Sequence, residues 1–227
     1  MERHFDEQLF QLKSHLVRMC AVAETMIHDA IKALVSRDPV HLKSIPGHES
    51  EVNGMQLAID ETCFTLIALH QPAAADLRFI LGAAKTCSEL ERLADLAVNI
   101  GEKTEHLLQQ PELTPFVIVP RMAAIATGMV KDSLHAYVNR DTEKAFAIFS
   151  RDDELDDLCQ EMTDKMSEFM ASTPACVPRA LDLILIARHL ERIGDHATNI
   201  AENAIFVADG RDVRHHHAED PGAPVPL

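Results

Sequence analysis

Two pairs of carboxylates, Glu91 with Asp95 and Glu191 with Asp195, stand one hundred positions apart in this chain. Each pair belongs to a repeated phrase. The first copy is Leu90-Glu91-Arg92-Leu93-Ala94-Asp95-Leu96-Ala97-Val98-Asn99-Ile100-Gly101-Glu102. The second is Leu190-Glu191-Arg192-Ile193-Gly194-Asp195-His196-Ala197-Thr198-Asn199-Ile200-Ala201-Glu202, and eight of the thirteen positions are identical. The identities include every acid, while several apolar positions differ. A duplication kept for packing alone would hold the apolar pattern and lose the acids, so the acids mark the functional surface. Like charges one helical turn apart repel by roughly 0.2–0.5 kcal/mol, a repulsion that a bound cation relieves. Oxygen donors of this kind suit hard or borderline ions: iron, manganese or magnesium, with zinc also accessible.

On a helical wheel Glu91, Asp95, Asn99 and Glu102 fall within about 80° of one another. Leu90, Leu93, Leu96, Ala97 and Ile100 lie on the opposite side, at about 140–260°. The second copy repeats this division. Arg92 and Arg192 flank the acids and neutralise part of their charge. A second line of oxygens comes from earlier in each half, where Asp152 and Asp156 share the four-residue spacing, as do Glu49 and Asn53. Antiparallel neighbours would bring four oxygen-bearing side chains together in each half. Asn53 puts an amide where the other half has a carboxylate, so the first site is the weaker. His48 and His196 flank the acids, although a flanking histidine is more often a surface residue. A solvated acidic face with local ion pairs is the plain alternative, and the duplication favours the cation site over it.

The elements that must position these residues are helices. Apolar residues recur at helical spacing from Leu9 through Leu12, Leu16, Met19, Ala23 and Met26. Helices are expected over about 5–36, from Asp38-Pro39 to about 69, and from the Gln71-Pro72 turn to about 108. The second half repeats the plan over about 120–140, 141–171 and 175–208. Asp38 and Asp141 read as N-caps, and Thr173-Pro174 as a cap with a first-turn proline. Pro46, inside the second helix, is expected to kink it. Val35-Ser36-Arg37-Asp38 aligns with Val138-Asn139-Arg140-Asp141 at an offset of 103, so the second half is shorter, with the deletion placed near Thr173. Phe116-Val117-Ile118-Val119 is a strand-like run isolated between prolines. The fold class is all-α: two tandem antiparallel three-helix bundles with six long helices. Residues 1–110 form the first repeat, 111–210 the second, and 211–227 a flexible tail.

Composition agrees with helices. Hydrophobic residues make up 47% of the chain and aromatics 4%, so alanine, leucine, isoleucine and methionine supply a helical core. The net charge of −15 leaves no basic stripe for a phosphate backbone, which excludes nucleic acid as the main partner. Five scattered cysteines form no C-x-x-C pair and read as buried thiols in a reducing compartment. No stretch is long and apolar enough to span a membrane, and the N-terminus has no secretory pattern. A cytoplasmic location is expected, with any membrane contact made through partners. G-x-G-x-x-G, P-loop, H-E-x-x-H, G-x-S-x-G and Glu-x-x-His patterns are all absent, so nothing marks a catalytic centre.

The paired Leu-Glu-Arg-Ile/Leu-x-Asp-x-Ala-x-Asn-Ile segments resemble the PhoU family of phosphate-transport accessory and phosphate-signalling proteins. So do Ala58-Ile59-Asp60-Glu61-Thr62-Cys63 and Gln71-Pro72-Ala73-Ala74-Ala75-Asp76-Leu77-Arg78, and the resemblance covers about residues 4–208. It implies two tandem three-helix bundles, multinuclear metal sites at Glu91/Asp95 and Glu191/Asp195 with Asp152/Asp156 as companions, and a departure at Glu49/Asn53. It further implies negative regulation of phosphate uptake and of the phosphate-starvation response, with no enzymatic activity. The implied partners are the ATPase of the phosphate ABC transporter, a phosphate sensor histidine kinase and a second copy in a homodimer. Two other readings of the residues stand beside this one: a metal-dependent hydrolytic enzyme using the carboxylate clusters, and a purely structural helical protein.

Overall fold

The structure, a computed structural model, describes residues 2–113 and 118–213. Six helices account for almost all of it: α1 (Glu2–Ser36), α2 (Ile45–His70), α3 (Ala74–Leu108), α4 (Ile118–Asn139), α5 (Thr142–Ser172) and α6 (Val177–Asp209). Among the described residues there is no strand. Phe116 and Val117, half of the strand-like run, lie outside the described residues, as does most of the expected tail; Ile118 and Val119 open α4.

Chain chemistry sets the helix boundaries. Asp141 caps α5 by accepting from the Lys144 backbone amide at 3.0 Å. Asp38 also caps, taking the Val40 amide at 2.9 Å, but it starts only a short 3-10 turn, Pro39–Leu42. The chain then resets and α2 begins at Ile45, which places Pro46 in the first turn. Proline has no amide to lose there, so the expected mid-helix kink does not form. The same happens before α6. Thr173 makes no side-chain cap, Pro174–Cys176 form a 3-10 turn, and Pro178 sits in the first turn of the helix. Arg37 and Arg140, in the duplicated turn, both take left-handed conformations with φ of 54° and 56°. Arg37 uses its position to donate to the Leu108 and Gln110 carbonyls at 3.2 and 2.6 Å, which closes the C-terminus of α3.

Each half is a three-helix bundle, α1-α2-α3 and α4-α5-α6, yet the two share one continuous core. Helices α1, α3, α6 and α4 form the middle, while α2 and α5 flank it. Leu12, Met19, Leu93, Tyr137 and Ile193 are all fully enclosed in that cluster. α3 and α6 run antiparallel against each other, so that Glu89 meets His196 and, farther along, His106 meets Asp182. At the opposite end Gly82 lies against Val207 and Tyr137. Among the described residues, no helix is long and apolar enough to cross a membrane.

Candidate metal centre

The second-half carboxylates come together as the spacing requires. α5 lies antiparallel to α6, with Leu155 and Asp152 against Gly194 and Cys159 facing Glu191 at 3.8 Å. Asp152 and Asp156 therefore oppose Glu191 and Asp195. Partial burial and the negative charges of Asp195, Asp156, Asp153 and Glu191 push the Asp152 carboxyl up to about 7. Burial, followed by Glu191 and Asp195, also raises Asp156. Asp195 is raised by burial and by Glu191, with His196 and Arg192 opposing. Asp152 Oδ1 is enclosed without a hydrogen-bond partner, an expensive arrangement for an acceptor. Mutual repulsion plus an orphaned oxygen is the electrostatic condition that a cation relieves.

The first-half group is weaker. Glu91 is raised by burial and by Asp95, with Arg92 opposing, and neither Glu49 nor any other α2 acid contributes. Asn53 is exposed and Glu49 half-buried on α2. His48 keeps an enclosed Nδ1 without a hydrogen bond. Among the described residues, no three His, Cys, Asp or Glu side chains are gathered closely enough as they stand to hold an ion. The carboxylates share a field and would need rotamer changes to close around a metal.

The shared face drawn by the wheel divides between two neighbours. Glu191 and Asp195 look toward α5, whereas Asn199 and Glu202 look toward α3. Glu202 is only 9% exposed and lines a polar pocket of about 340 Å³ with Lys85, Glu89, Arg92, Asn199 and Asn203. Its counterpart Glu102 is exposed. His196 also turns away from the acids on α5, pairing through Nδ1 with Glu89 Oε2 at 2.6 Å, and Asn199 donates to the same oxygen at 3.2 Å. Arg92 bonds Glu89 at 3.0 Å, and Arg188, rather than Arg192, bonds Glu191 at 3.1 Å. Glu89 is the important residue that the repeat comparison misses, because its counterpart is His189. A lone acid immediately before the phrase gave no other signal.

All five cysteines are buried and unpaired. Burial pushes the Cys63 and Cys87 thiols up to about 12 and Cys159 to about 11, so they remain protonated and unreactive at neutral pH.

Comparison with known proteins follows the same two-part layout. The family model of the PhoU domain matches residues 16–104 and again 119–204. The phosphate-specific transport system accessory protein PhoU homolog of Caulobacter vibrioides is 33% identical over 212 residues, covering 93% of this chain and 92% of that protein. The homolog of the same description from Aquifex aeolicus is 33% identical over 216 residues, covering 95% and 98%. Among solved structures, PhoU from Pseudomonas aeruginosa superposes with a TM-score of 0.87 at 31% identity, over 91% of this chain and 100% of that one. The phosphate transport system regulatory protein PhoU from Streptococcus pneumoniae gives 0.84 at 27% identity, covering 92% and 99%. With the PhoU domain matched in both halves and full-length relatives at this identity, the chain belongs to the PhoU family.

Proposed function

We propose that this protein is an accessory of phosphate-specific transport that restrains phosphate uptake and phosphate-starvation signalling, and that its carboxylate faces bind metal. That its relatives are accessory proteins of phosphate-specific transport supports the transport part. The second rests mainly on one observation: Asp152, Asp156 and Asp195 all hold their protons more tightly than ordinary aspartates, through partial burial and one another's charge. Asp152, Asp156, Glu191 and Asp195 would hold the ion in the second half, and Glu91 and Asp95 with Glu49 and Asn53 a weaker one in the first. A bound cation would supply charge neutralisation and a rigid, less acidic docking face.

The reading assigns no catalytic residue. It places the protein in the cytoplasm, acting as an adaptor between the transporter ATPase and a sensor histidine kinase, as a homodimer. Elemental analysis of the purified chain tests the metal. Wild type should carry iron, zinc, manganese or magnesium, and Glu91→Ala with Glu191→Ala should carry less; equal content would remove those acids as ligands. Deleting the gene should switch on phosphate-starvation genes in phosphate-rich medium, and unchanged expression would sink the regulatory role.

A further inference from the structure

The face opposite α3 and α6 carries a groove that the metal reading does not use. It runs along the seam between α1 and α4, the outer helices of the shared core. At one end Phe10, Val17 and Ala21 of α1 face Val138 of α4 across a space of about 400 Å³. Toward the other end Ile27, Ile31 and Val35 face Ala123 and Ala124 across about 580 Å³. The stretch of α1 that lines the two spaces, from Phe10 to Ser36, is about 39 Å long at the helical rise per residue.

Its lining is apolar and open. Phe10 is 70% exposed, Val17 50% and Val35 58%. These residues share one α1 face, about two and five turns apart, directed away from the helix's own buried stripe. The opposing wall of α4 is small, with Ala124 and Thr127, which lets another backbone approach closely. A groove with anchors spaced by turns is the shape that takes an amphipathic helix.

Charge selects among occupants. The side chains lining the two parts include Lys13, Arg18, Lys32 and Lys131 against one acid, Glu24. This occurs in a chain with 36 acids and 21 bases. Arg18 is bound to Glu51 at 2.7 Å and Lys13 lies over the Phe79 ring. Lys32 and Lys131, one on each wall, are the pair offered to an occupant. A second copy packed on the same groove would bring lysine against lysine. An anionic lipid surface meets a concave trough on a protein of net charge −15, and a small ligand would fill one part only.

We propose that the α1–α4 groove docks one helix of a partner protein, apolar on one face and lined with Asp or Glu along its flanks. The inference rests on the adaptor part of the reading above and is independent of the metal.

Photo-crosslinking tests it. A photoreactive residue replaces the exposed Ala124 in the full-length chain inside the cell, and the adduct is sequenced by mass spectrometry. The expected adduct is a segment of another protein with apolar residues at helical spacing and acidic flanks. Lys32→Glu with Lys131→Glu should lower its yield by about tenfold, as expected for reversed complementarity, while the double arginine variant keeps it. Val35→Asp, at a solvent-facing position, should lower it as well. An adduct with a second copy, with lipid or with a basic segment would overturn the proposal, as would no adduct or a yield unmoved by these changes. If phosphate-starvation genes stay repressed while no adduct forms, the groove alone falls. If the adduct forms while deletion leaves those genes unchanged, the regulatory reading alone falls.

Discussion

Gly194 of α6 leaves the space into which Asp152 of α5 projects. A methyl group built on Gly194 would stand 2.9 Å from Asp152 Oδ1 and 2.6 Å from Leu155 Cδ2. The counterpart of Gly194 in the first half is Ala94, and there no α2 acid couples to Glu91. The missing side chain is thus part of what makes the second carboxylate group the more complete. Gly194→Ala should strengthen α6 by about 1 kcal/mol through propensity. It should lose roughly 1–3 kcal/mol through crowding of the enclosed Leu155. The expected result is a slightly lower melting temperature and less metal in the second half, read by calorimetry and elemental analysis.

Asp152 also sets a pH dependence. Its carboxyl is raised to about 7 from an ordinary value of 3.8, so the folded protein keeps a proton that the unfolded chain releases. Metal-free protein should therefore lose stability as pH rises from about 4 to about 7, and hold level above that. After allowance for partial exposure the loss is on the order of 2 kcal/mol. Asp152→Asn should flatten this part of the profile in melts taken across the range. A metal ion competes with the same proton, so wild-type affinity should rise between pH 6 and pH 8 in calorimetric titrations.

Glu89 and Glu91, two residues apart, should respond in opposite ways to removal. Burial would raise Glu89, but hydrogen bonds from His196 and Asn199 more than reverse that, and its carboxyl is held low. Its side chain is 13% exposed. Glu89→Ala leaves His196 and Asn199 without their partner and should cost about 1–3 kcal/mol in denaturant unfolding. Glu91 is raised by burial and Asp95, so Glu91→Ala should leave metal-free stability unchanged or slightly higher.

Gly82 tests the other end of the joint. A methyl group there would lie 2.9 Å from Val207 Cγ2 and 3.0 Å from the Tyr137 hydroxyl. Tyr137 is fully buried, stacks on Phe79 with ring centres 5.2 Å apart and donates its hydroxyl to the Phe79 carbonyl. Gly82→Ala should destabilise by roughly 1–3 kcal/mol, with the loss visible as a shifted midpoint in urea.

Helix number, order and pairing were legible because apolar spacing and the duplication reported the same plan twice. The Asp141 cap was legible for the same reason, since one side chain and one nearby amide settle it. Pro46 was misread because the Asp38 cap promised a helix that the chain abandons after one 3-10 turn, and only tertiary packing decides where it restarts. The wheel placed Glu191, Asp195, Asn199 and Glu202 on one side correctly. It could not tell that α5 and α3 divide that side between them. Glu89 escaped notice because its partners, His196 and Asn199, are more than one hundred residues away in sequence.

The antiparallel crossing of α3 and α6 carries a consequence for each half on its own. Leu93 and Ile193, equivalent positions of the two phrases, are both fully enclosed in the core that the halves share. One repeat produced alone would leave that face of its third helix bare to water, and a second identical repeat would cover it with twofold symmetry. The seam inside this chain therefore does for each half what a partner subunit would do for a single repeat. With both halves in one chain the two sides of the seam need not be identical, and they are not: Glu89 stands against His189, Ala94 against Gly194, Asn53 against Asp156.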